Sequence, residues 1–98
     1  MKALIVGVKY QNMNYNLDNS LDELVELCKA CQIQVVKRVV QKLEKINPSL
    51  FLGTGKVQEI KAELYDIDIV IFDEELTPLQ VKNLTDILEI EVTDRTDL

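Results

Sequence analysis

Apolar positions along the chain change period several times, and each change marks a new element. Lys2 to Val8 is an almost unbroken apolar run, the pattern of a strand buried on both faces. From Ser20 to Cys31 the spacing lengthens to helical, with Leu21, Leu24, Val25, Cys28 and Cys31 on one stripe; Ser20 and Glu23 read as a capping box at its start. Ile33 to Gln41 is valine-rich but interrupted by Lys37 and Arg38, as suits an edge strand. Gly55 to Tyr65 is helical again through Val57, Ile60 and Leu64, and Ile67 to Phe72 is a second buried strand. Thr77, Pro78 and Gln80 supply an N-cap, a first-turn proline and a capping partner for a third helix carrying Val81, Leu84 and Leu88 inward; Ile90 to Thr93 closes the series as a short strand.

This β-α-β-α-β-α-β order predicts an α/β fold, a four-stranded parallel sheet with three helices on its faces. The two most apolar strands belong at the centre, so the predicted spatial order is 2-1-3-4. The 98 residues suit one domain, residues 1–98, without repeats, low-complexity tracts or linkers. Ligands of open parallel sheets sit beyond the carboxyl ends of the strands, here around the loops Lys9 to Asn19 and Asp73 to Thr77.

Composition narrows the possibilities. With 47% hydrophobic and 29% charged residues the usage is that of a soluble globular protein. No run approaches the ~18 apolar residues of a membrane span, and ALIVGV after Met1 makes a poor export signal, so a cytoplasmic, non-membrane protein is expected. The net charge of -6 opposes nucleic-acid binding unless the charges are segregated, and they are. Between Lys37 and Ala62 six basic residues (Lys37, Arg38, Lys42, Lys45, Lys56, Lys61) face two acidic ones, leaving +4 in this window and -10 elsewhere. Solvated surface lysines are the plainer explanation of such a window.

Candidate chemistry is sparse. Gly53-Thr54-Gly55-Lys56 invites comparison with a P-loop, but Leu50 and Val57 stand where that motif needs a glycine and a hydroxyl, which excludes a nucleotide-hydrolysing site of that kind in this chain. Glycines open to positive φ at a helix start, beside Lys56, remain compatible with an anion; a tight turn with nothing bound is the alternative. Asp73, Glu74 and Glu75 end a strand where a magnesium ligand or general base could sit, yet there is no histidine and no opposing acidic cluster, so solvated acids near a helix start is the simpler reading. Cys28 and Cys31 close a helix instead of opening one and lack further zinc ligands, so both are read as reduced core residues.

Three segments carry a family resemblance. FLGTGKVQEI (Phe51 to Ile60), IVIFDEELTPLQVKNL (Ile69 to Leu84) and DRTDL (Asp94 to Leu98) together resemble the N-terminal domain of the HflX family of ribosome-associated GTPases. The resemblance implies a non-catalytic domain that docks on the rRNA of the large ribosomal subunit, with GTP and Mg2+ held by a GTPase domain outside this chain. The candidate contacts are then Lys37, Arg38, Lys42, Lys45 and Lys56, and Asp94, Arg95 and Thr96 would anchor the junction to the GTPase domain. Two other classes stay open: a small ATP- or GTP-binding module using Gly53 to Lys56, and an oligomerisation domain whose exposed apolar surface pairs two copies as a homodimer.

Overall fold

In the computed structural model, which describes residues 1–10 and 16–98, four strands and three helices alternate: β1 (Lys2–Tyr10), α1 (Leu17–Ala30), β2 (Gln34–Leu43), α2 (Thr54–Ala62), β3 (Ile69–Phe72), α3 (Pro78–Leu88) and β4 (Glu91–Asp94). The strands form one parallel sheet in the order β2-β1-β3-β4, as the apolar runs predict. Because the chain moves one way across the sheet from β1 to β2 and the other way thereafter, crossovers of one hand must put α1 on the opposite face from α2 and α3. The core is divided accordingly. Leu4, Val6, Val8, Val39, Val70, Phe72 and Val92 pack with Val57, Ile60, Leu84 and Leu88 of α2 and α3, whereas Ala3, Ile5, Ile69 and Ile71 pack with Leu17, Leu21, Leu24 and Cys28 of α1. Gly7 marks the tightest approach: a Cβ there would lie 3.1 Å from Leu21 Cδ2 and 3.2 Å from Leu17 Cδ1.

Several boundaries differ from expectation. Helix α1 begins at Leu17, a turn before Ser20, because Leu17 extends the buried stripe and the Asn16 side chain accepts from the amides of Asp18 (2.9 Å) and Asn19 (3.3 Å). Ser20 and Glu23 are therefore inside the helix and form no capping box. At the other end the helix stops at Ala30, which leaves Cys31 exposed as the C-cap while Cys28 is fully buried, so only one cysteine is a core residue. Helix α2 is shorter than predicted: it ends at Ala62, and Tyr65 stands in solvent. Strands β1 and β2 run further than predicted, to Tyr10 and Leu43. Helix α3 is built as read, with Thr77 Oγ1 accepting from the Gln80 amide and Gln80 Oε1 accepting from the Thr77 amide.

The two cysteines should be separable by chemistry. Burial pushes the Cys28 thiol above its ordinary range, with a smaller contribution from Cys31. Because that raised value belongs to the folded state, stability is unaffected below about pH 8.5 and falls as the pH rises above it. In a native thiol titration at pH 8 Cys31 should react at the rate of a free thiol and Cys28 only on unfolding; two fast thiols would contradict the packing of α1.

Register sets the sheet's shape. β1 pairs with β3 only as far as Val6 with Phe72, but with β2 as far as Tyr10 with Leu43. The last four pairs, from Gly7 with Val40 onward, extend as a two-stranded ribbon roughly 13 Å beyond the rest of the sheet. β2 is the outer strand, and its register slips where Ala3 faces Val35 and Leu4 faces Lys37, so Val36 is an extra residue in a bulge. A bulge next to Lys37 and Arg38 blunts an edge that could otherwise pair with another chain.

Candidate functional site

The segments singled out in the sequence meet at the carboxyl end of the sheet, where β1, β2 and β3 each pass the chain to the next helix. The loop from Glu44 to Gly53 is firmly built. Asn47 Oδ1 accepts from the amides of Ser49 (2.8 Å) and Leu50 (3.1 Å), Asn47 and Phe51 form an antiparallel bridge, and α3 holds the loop from above through Gln80 Nε2 to Asn47 O and Asn83 Nδ2 to Ser49 O, both 3.0 Å. Phe51 is buried against Phe72, ring centroids 5.7 Å apart and nearly perpendicular, and reaches that position with φ +66°. The strained residue is thus a phenylalanine. Among the described residues no glycine has positive φ, and Gly53, at φ -65° and ψ 150°, is an ordinary extended N-cap.

At the start of α2 the amides of Thr54, Gly55 and Lys56 face outward without intrahelical acceptors. The Gly53 amide donates to Gln41 Oε1 (3.3 Å), and Lys56 pairs with Glu59 (3.2 Å). Gly53, Thr54, Gly55 and Lys56 therefore form one helix-start turn on the α2 side of the sheet, with its lysine already matched by a carboxylate.

Alternation along β2 separates the basic residues. Lys37, opposite Leu4, lies on the α2 side and pairs with Glu63 (2.9 Å), while Arg38, opposite Ile5, lies on the α1 side and pairs with Asp22 (2.6 Å). Neither points inward. Lys42 stands on the α1 side, directly across from Lys9, and Lys45 follows just beyond the strand; both are exposed and have no ion pair among the described residues. The five candidate contacts thus do not share one surface. Elsewhere, Lys2 is held above the usual lysine range by its hydrogen bond to Asp66, 2.6 Å away.

Of the three acids at the end of β3, Glu75 is exposed as expected but Asp73 is buried. The Asp73 side chain is 2% exposed; its Oδ2 accepts from the Ser20 hydroxyl (2.6 Å) and its Oδ1 lies 3.0 Å from Arg95 Nη2, which also donates to Ser20 O (2.5 Å). Asp94, also buried, accepts from the amides of Leu76 (2.7 Å) and Asp97 (3.0 Å), and the Arg95 amide donates to Phe72 O (2.9 Å). Thr96 is exposed. Asp94 and Arg95 thus stitch the final turn to β3 and α1. No three acids or cysteines among the described residues could hold a metal ion. No helix there is long and apolar enough to cross a membrane.

A family model described as "GTP-binding GTPase N-terminal" matches residues 18–98. The chain belongs to this family of N-terminal domains of HflX-type GTPases. It is 44% identical over 100 residues to the GTPase HflX of Flavobacterium psychrophilum, covering 99% of this chain and 24% of the relative. Against the HflX of Escherichia coli it is 30% identical over 80 residues, covering 80% and 19%. The chain spans about a quarter or less of the curated relatives it matches. A GTP-binding protein from Sulfolobus solfataricus, solved in complex with GDP, superposes with TM-score 0.69 at 20% identity over 97% of this chain and 28% of its own, a likeness of fold.

Within this HflX-type domain, sequence reading missed Lys9, Gln41, Asn47, Gln80 and Asn83 as residues that shape the site. Asn47-Pro48 was a readable turn signal. Lys9 was not readable, because only the β1–β2 register places it beside Lys42.

Proposed function

We propose that this domain docks an HflX-type GTP-binding protein on the rRNA of the large ribosomal subunit and does not itself hydrolyse nucleotide. Hydrolysis, with GTP and Mg2+, belongs in this reading to the part of the longer relatives that this chain does not cover, in a cytoplasmic protein. The supporting observation is the placement of Lys42 on a projecting ribbon and Lys45 just beyond it, cations without an ion pair among the described residues, in a chain that is otherwise acidic. The Asp94–Arg95 turn would fix the direction in which a following GTPase domain departs. A nucleotide module is less favoured, since Lys56 and the Gly53 amide already have protein partners.

The test is sedimentation of this chain with purified large subunits, alongside calorimetry with ATP and GTP. Co-sedimentation at low salt is expected, with a log–log salt slope near ~-2 to -3 for about three phosphates. Magnesium-dependent phosphate release, micromolar nucleotide affinity without subunits, or self-association in place of subunit binding would each replace this reading.

A further inference from the structure

Of the eleven basic residues, seven are matched to a carboxylate within the domain: Lys2, Lys29, Lys37, Arg38, Lys56, Lys82 and Arg95. Among the described residues Lys9, Lys42, Lys45 and Lys61 are not, and three of these four lie at one corner. Lys9 and Lys42 are register partners at the end of the β1–β2 ribbon, so both side chains leave the same face of neighbouring strands about 4.8 Å apart. Like charges placed directly across a sheet repel, and among the described residues no carboxylate pairs with either lysine. Residues 11 to 15, which follow Lys9's strand, contain no acid in their sequence. Asp18 and Glu44 form no ion pair among the described residues, and Asp22 is taken by Arg38. Helices α1 and α2 both begin at this end of the sheet and add the positive ends of their dipoles.

We infer that Lys9 and Lys42, reinforced by Lys45, form a phosphate clamp on the α1 side of the ribbon, and that its ligand is an RNA backbone. Lysine is a compact point charge that suits phosphate, and among the described residues neither arginine is free for an external carboxylate, since Arg38 pairs with Asp22 and Arg95 with Asp73. The clamp rests on the docking reading for its ligand class, but relocates the contact. Lys9 lies outside the basic window, while Lys37 and Lys56, on the other side of the sheet and already paired, take no part.

The experiment measures binding of this chain to a short fluorescent oligouridylate and to large subunits across a salt series. Wild type is compared with Lys9→Gln/Lys42→Gln and with the control Lys37→Gln/Lys56→Gln, all verified as folded by circular dichroism. The Lys9/Lys42 variant should bind RNA about tenfold more weakly at low salt, with the log–log slope reduced in magnitude by about 1 to 1.5; the control should stay within about twofold. Equal binding by the Lys9/Lys42 variant, equal loss in the control, competition by polyglutamate but not by RNA, or no RNA binding by wild type would overturn the clamp. If wild type binds the oligonucleotide through this pair but ignores subunits, docking fails and the clamp stands. If subunits bind all three proteins alike, the clamp fails and docking stands.

Discussion

Replacing Phe51 by alanine should lower the domain's stability by about 4 kcal/mol, and replacing it by glycine should cost about 1 kcal/mol less. The first figure follows from removing a ring that is 2% exposed and packs edge-on against Phe72. The second reverses the usual order, in which glycine is the worse substitution. Phe51 sits at φ +66°, a region that costs alanine roughly 1 to 2 kcal/mol and glycine almost nothing. The surroundings enforce the strain: the Asn47–Phe51 bridge and the hydrogen bonds from Gln80 and Asn83 leave the ring one way into the core. Since a domain of this size has roughly 5 to 15 kcal/mol in total, either variant should unfold at markedly lower urea concentration. If Phe51→Gly proved no more stable than Phe51→Ala, the left-handed geometry of this loop would be wrong.

Arg95→Ala should be the most damaging change of a charged residue, at about 2 to 3 kcal/mol by chemical denaturation. It strands the Asp73 carboxylate, which among the described residues keeps only the Ser20 hydroxyl and stays 2% exposed. The value is placed below that of a fully buried pair because Arg95 is itself 32% exposed and partly hydrated. Asp73→Asn in the Arg95→Ala background should recover a good part of the loss, because it removes the stranded charge. Arg95→Lys should fall between, since an ammonium cannot reach Ser20 O and the carboxylate in one planar geometry. A cost under about 0.5 kcal/mol for Arg95→Ala would mean that water already serves Asp73, and the stitched final turn would lose its main support.

What could be read from the sequence was whatever is settled locally or by burial alone. The start of helix α3 was legible to the residue because Thr77, Pro78 and Gln80 meet their partners within a single turn. The strand order was legible because β1 and β3 are the runs with no polar face to spare. The start of α1 was not, since Ser20 and Glu23 imitate a cap that Asn16 provides one turn earlier. Asp73 looked solvated because its partner Arg95 is remote in sequence, and Ser20 more remote still. The basic window looked like one surface because charge counting ignores alternation: Lys37 and Arg38 are neighbours in the chain and occupy opposite sides of the sheet.

The central position of β1 has a cost during synthesis. This strand emerges first, yet it is completed only when β3, which begins at Ile69, can pair along its second edge. At ~5 to 20 residues per second, the run from Ala3 to Val8 waits roughly 3 to 13 s for that partner, half-paired at best with β2 and lacking the helices that cover one face. Nascent chains should therefore hold an exposed apolar strand until late in translation, and would be expected to engage a holding chaperone until Phe72 clears the exit tunnel.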